Sequence, residues 1–147
     1  MSKYYWDDFT PGWTYESPAR ALAAEDIVRF AREYDPQVFH TDPEAAKATP
    51  FGGLIASGWQ TCGVMMRLMC DGYLVDSACL GSPGLDELRW LKPVRPGDAL
   101  RLRAEVLEQT PSQKQSNRGT VKFRWEVLNQ NDEVACMIVG RQLFTRR

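Results

Sequence analysis

The 147-residue chain carries 18 Lys and Arg against 19 Asp and Glu, a formal net charge of −1. Its basic residues are scattered rather than clustered, which argues against nucleic acid or an anionic membrane as the main partner. Hydrophobic residues make up 44% and charged residues 25%, and the length fits one domain, residues 1–147, with a sizeable core. No apolar run approaches the ~20 residues of a membrane span. Met1 to Asp8 lacks an apolar signal core, so the expected location is the cytoplasm.

Met1 to Pro18 is aromatic and turn-rich, with a short strand expected over Trp13 to Glu16. Ala21 to Tyr34 reads as a helix. Leu22, Ile27, Phe30 and Ala31 recur at near-helical spacing while Glu25, Arg29, Arg32 and Glu33 face away. Pro36 ends it, because the residue before a proline avoids helical geometry. Asp35 therefore falls at a helix end and His40 in the loop beyond. Asp42 followed by Pro43 marks the capped start of a short helical turn.

Ser57 to Tyr73 reads as a second long helix, with Ser57 as its cap. Trp59, Cys62, Gly63, Met66, Met69, Cys70 and Tyr73 form one apolar stripe, which Val64, Met65 and Leu68 widen. A helix apolar nearly all round is expected to be buried. Strands follow. Leu100, Leu102, Ala104 and Val106 alternate with polar residues, as do Val121, Phe123, Trp125 and Val127. Val134 to Phe144 is apolar on both faces and reads as a central strand. Asn129 to Asp132 is a hairpin turn, and Thr110 to Arg118 a polar, exposed connection.

A buried helix followed by antiparallel strands is satisfied by wrapping the sheet around the helix. The expected fold is the hot-dog fold, of the α+β class. Its edge strands need protection, so a homodimer or a dimer-based oligomer is expected.

Histidine has the side chain whose unperturbed pKa lies nearest neutrality, and His40 is the only one here. The four cysteines, Cys62, Cys70, Cys79 and Cys136, form no Cys-x-x-Cys pair. The single His cannot complete a common zinc set with them, so no metal is expected and the thiols read as reduced and buried.

Phe30-Ala31, Asp35, His40-x-Asp42, Ala46, the Thr49-Pro50-Phe51-Gly52-Gly53 loop, Ile55-Ala56 and Gly58 together resemble the MaoC-like dehydratases. So does the segment Arg89 to Asp98, and the resemblance covers most of the chain. That family includes the (R)-specific enoyl-CoA hydratases. The resemblance implies reversible addition of water to a trans-2-enoyl thioester of coenzyme A or of an acyl carrier protein, with no further cofactor. It implies that His40 takes a proton from water, and that Asp35 supplies the proton at C2 or shares it through the dyad. The Gly58 N–H is implied to bind the thioester oxygen. Gln37, Phe51, Gly53, Ser57 and Trp59 are implied to surround the substrate.

The chain departs from the usual hydratase pattern at Tyr34, before the Asp, and at Gln37-Val38, where Asn-Pro would stand. Two alternatives therefore stay open. One is an acyl-CoA thioesterase. The other is a non-catalytic acyl-thioester-binding subunit of a heteromeric dehydratase.

Overall fold

Period-two burial organises the second half of the chain. In the computed structural model, which describes residues 1–147, the long strands are β3 (Cys79–Trp90), β4 (Ala99–Pro111), β5 (Arg118–Leu128) and β6 (Val134–Thr145). Leu100, Leu102, Ala104 and Val106 of β4, and Val121, Phe123, Trp125 and Val127 of β5, point to one buried side. Two short strands, β1 (Thr14–Glu16) and β2 (Arg20–Ala21), pair with β4. The sheet is antiparallel throughout, in the order β1-β4-β5-β6-β3, with β2 also on β4. As expected, β6 is an inner strand. β3 forms one edge and most of it is exposed.

The apolar side of the sheet must be covered, and the longest helix does so. Four helices precede the long strands: α1 (Ala24–Tyr34), α2 (Val38–Thr41), α3 (Pro43–Ala46) and α4 (Gly58–Met69). Met65, Leu68 and Met69 of α4 join the core formed by Phe9, Leu100, Val106, Phe123, Trp125 and Phe144. A sheet curled around one long helix is the hot-dog arrangement. No helix is long and apolar enough to cross a membrane.

Four expectations are corrected. First, α1 begins at Ala24 rather than Ala21. Arg20 and Ala21 pair with Leu100 and Ala99, and the Leu22 N–H bonds the Asp98 carbonyl, so the sheet claims these residues first. Second, the regular helix ends at Met69, and Cys70–Leu74 forms a wider π-type turn. Third, α4 is not buried all round: Trp59 is 60% exposed and Met66 46%. Fourth, the connection after β4 is shorter than expected, because Thr110 and Pro111 extend the strand and pair with Thr120 and Gly119.

Candidate active site

Two breaks in the helical chain build the site. α1 ends at Tyr34, and the Asp35 N–H closes the last turn onto the Ala31 carbonyl at 2.8 Å. Pro36 then turns the chain, and His40 lies in the one-turn helix α2 instead of a loop. The His40 N–H bonds the Gln37 carbonyl at 2.9 Å, which returns the imidazole toward Asp35.

His40 is buried, and its two ring nitrogens have different partners. Nδ1 lies 2.7 Å from the Ile55 carbonyl oxygen. A carbonyl only accepts, so Nδ1 carries the proton in that bond. The Ile55 carbonyl is itself held in place: the Ile55 N–H bonds the Phe39 carbonyl at 3.0 Å, and the next N–H, of Ala56, bonds Val94 at 2.8 Å. Nε2 is left facing Asp35 Oδ2 at 3.2 Å. It is the only ring nitrogen available to take up or release a proton.

Asp35 is anchored from both sides. Gln37 Nε2 donates to Oδ1 at 2.7 Å, and the Ser57 hydroxyl donates to Oδ2 at 2.8 Å. Burial pushes the Asp35 carboxyl up. The hydrogen bonds from Gln37 and Ser57, and the charge of His40, outweigh it and hold the group below the usual carboxylate range.

Ser57 also caps α4, accepting from the Trp59 N–H at 3.3 Å. One hydroxyl thus ties the start of the long helix to the carboxylate. Gly58 follows, and its N–H bonds no acceptor in the chain. Free N–H groups at a helix start carry positive potential and suit a developing oxyanion. The Trp90 indole covers Gly58 and donates to its carbonyl at 3.0 Å. A Cβ at Gly58 would lie 2.4 Å from the Trp90 ring, so this contact requires glycine.

Asp35, Gln37, His40, Phe51, Gly58 and Trp59 line one cleft of about 430 Å³. Two other sequence-derived candidates lie outside it. Ser57 is fully buried behind Asp35. Gly53 sits beside the Arg95 guanidinium, whose other contact is the Phe51 carbonyl. Trp90, Thr61 and Lys92 also line the cleft; the sequence offers Lys92 only as a candidate contact for coenzyme A phosphates, and gives Trp90 and Thr61 no place there. Trp90 stands in the Arg89 to Asp98 segment, but no spacing in the sequence sets it against Gly58. A larger groove of about 790 Å³ follows the charged face of α1 past Glu25, Arg29, Arg32 and Glu33. It contains no histidine.

Comparison with known proteins decides the family. The MaoC like domain matches residues 8–127. The chain belongs to the MaoC-like dehydratase family. A MaoC-like dehydratase from Rhodospirillum rubrum superposes with a TM-score of 0.90 at 39% identity, over 97% of both chains. The uncharacterized protein YdeM of Bacillus subtilis is 34% identical over 127 residues, covering 86% of this chain and 88% of its own. The 3-hydroxyacyl-thioester dehydratase Z of Mycobacterium tuberculosis is 36% identical over 88 residues, which is 58% of each protein. Relatives of this MaoC-like chain thus bear hydratase-type names, which supports a hydratase-type enzyme.

Proposed function

We propose that this protein adds water reversibly to a trans-2-enoyl thioester, giving a 3-hydroxyacyl thioester. The observation that carries the reading is one cleft lined by a His–carboxylate pair and by a helix-start N–H free of acceptors. Acyl thioester chemistry needs both. Water must lose a proton as its oxygen bonds to C3, and the electrons displaced from the C2–C3 double bond collect on the thioester oxygen as an enolate.

The residues take these steps as follows. A water seated beside the pair, within reach of both Asp35 Oδ2 and His40 Nε2, is oriented by the carboxylate and gives its proton to Nε2. The Asp35 carboxylate faces the positive charge that the ring then carries. The Gly58 N–H binds the enolate oxygen, a contact whose removal typically costs ~10²–10³ in rate. Nε2 returns the proton to C2 as the enolate collapses. The sum is one water added, with its oxygen on C3 and a hydrogen on C2. The reverse sequence dehydrates the product.

Coenzyme A or a carrier protein supplies the thioester. The unpaired edge of β3 and the exposed Trp59, Met66, Leu80, Leu85 and Leu91 support a second copy of the chain as the cover of that side. A test is incubation of the folded protein with crotonyl-CoA. Loss of the enoyl thioester absorbance with formation of 3-hydroxybutyryl-CoA is expected. Release of free coenzyme A thiol without hydration would replace this reading with thioester hydrolysis.

A further inference from the structure

One polar side chain of the cleft has no partner. Gln37 donates to Asp35, which also accepts from Ser57 and faces His40. The Trp90 indole donates to the Gly58 carbonyl, and Lys92 is paired with Glu133. Thr61, on α4, lines the same cleft, and its hydroxyl bonds nothing in the chain.

A helical threonine commonly returns its hydroxyl to a carbonyl three or four residues back. Thr41 does so onto Gln37 at 3.1 Å, and Thr49, in the turn after α3, onto Ala46 at 2.6 Å. The Ser57 carbonyl stands four residues before Thr61 and accepts the Gln60 and Thr61 N–H groups, but not this hydroxyl. Thr61 is only 2% exposed. The fully enclosed side-chain atoms without a partner are Gln60 Oε1 and Gln142 Oε1. Thr61 Oγ1 is not one of them, so it keeps an open face, and the cleft is the space that Thr61 lines. A hydroxyl so placed costs free energy unless a ligand bonds it.

Position selects the ligand atom. Thr61 follows Gly58 by three residues, about 4.5 Å along the helix and on the same face. Side chains lean toward the helix start, so the hydroxyl reaches back toward the Gly58 N–H. That N–H is the free donor of the first turn: the Trp59 N–H bonds Ser57 Oγ, and the next two bond the Ser57 carbonyl. The reacting end of an enoyl thioester offers one acceptor, its carbonyl oxygen, and no donor. The attacking water already has Asp35 and His40.

We infer that Thr61 is a catalytic residue whose hydroxyl is the second donor to the thioester oxygen bound by the Gly58 N–H. The inference rests on the hydratase reading for the place of that oxygen, and adds the other half of its binding site. Thr61 keeps its proton throughout. Its bond strengthens as negative charge gathers on the oxygen, so it lowers the barrier more than it aids binding.

The test compares wild type with Thr61→Val, which keeps the branched shape, and Thr61→Ser, which keeps the hydroxyl. In crotonyl-CoA hydration, Thr61→Val is expected to lose about 10² in kcat, the usual effect of one oxyanion donor, at nearly constant KM. Thr61→Ser should recover most of that loss. The Tm of Thr61→Val should be no lower than that of wild type, because no bond within the chain is broken. A rate loss that comes with a lower Tm, and that serine does not recover, means a structural role and overturns the inference. So does a wild-type kcat in Thr61→Val, or a rise in KM alone, which would put the hydroxyl on the pantetheine arm. A second readout needs no turnover: the infrared carbonyl band of bound butyryl-CoA, isotope-labelled at the carbonyl carbon. Wild type should hold this band at lower frequency than Thr61→Val, because two donors polarise the carbonyl more than one. Should no enoyl thioester be hydrated, the reaction assignment fails and the band decides the hydroxyl alone. Equal bands in the two proteins overturn it.

Discussion

The Ser57 hydroxyl donates to Asp35 Oδ2 at 2.8 Å, joining residues 22 positions apart. Ser57 Oγ in turn accepts from the Trp59 N–H. Proton chemistry at Asp35 and anion binding at the start of α4 are thereby held in one fixed geometry. Ser57→Ala is expected to lower kcat on the enoyl thioester about tenfold, and to destabilise the fold by ~1 kcal/mol through the lost cap and bond.

The pH dependence of that deficit follows from Asp35. Its folded pKa lies below the ordinary value of 3.8, because the Gln37 and Ser57 bonds and His40 outweigh burial. A lowered carboxyl pKa contributes stability that is present above the unfolded pKa and lost as pH falls through the folded one. Ser57→Ala removes part of that lowering. The stability gap between wild type and variant, measured by urea unfolding, should be full at neutral pH and shrink in acid, below about pH 4. A gap that is constant across this window would mean that the hydroxyl does not act on the Asp35 charge.

Gly58→Ala should be damaging for a steric reason. The added methyl would enter the Trp90 ring, which already bonds the Gly58 carbonyl. A loss of ~1–3 kcal/mol in stability is expected, the usual size of overpacking. Trp90→Leu should recover part of it, so the two substitutions are predicted to be non-additive in a double-mutant cycle.

Asp35 and His40 lie side by side on one wall of the cleft. Water oxygen and returning proton therefore reach the double bond from one face. Hydration in deuterium oxide, read by NMR of the product, should give syn addition. Anti addition would require a proton donor on the opposite wall.

The edge of β3 supplies a prediction about assembly. Leu85 is 52% exposed on that strand. Leu85→Asp should shift the sedimentation of the protein toward monomer, because a charge is placed on the surface proposed to meet a second copy. An unshifted monomer in both proteins would remove the proposed dimer.

Much of the fold was legible because alternation and helical spacing are local. β4, β5 and β6 and the start of α4 lie where their apolar periods put them. The beginning of α1 was not legible. Ala21 suits a helix, and only its pairing with Ala99, far along the chain, makes it strand. The exposed side of α4 misled for a similar reason: Trp59 and Met66 are apolar, yet nothing in this chain covers them fully. At the site, Asp35, His40 and Gly58 were found from their motif, and they line one cleft. Ser57 read as a helix cap, which it is, but its bond to Asp35 is a tertiary contact that no spacing encodes. Trp90 reaches Gly58 across 32 residues in the same way.

The most direct measurement is kcat/KM for enoyl-CoA hydration by wild type, Asp35→Asn and His40→Ala, with each protein's circular dichroism spectrum recorded alongside. The Asp35–His40 assignment predicts hydration by wild type and a fall of ~10²–10⁴ in both folded variants, His40→Ala through loss of the general acid–base group and Asp35→Asn through loss of the charge that orients the water and faces the imidazolium. Hydration at wild-type rates by either folded variant would contradict it.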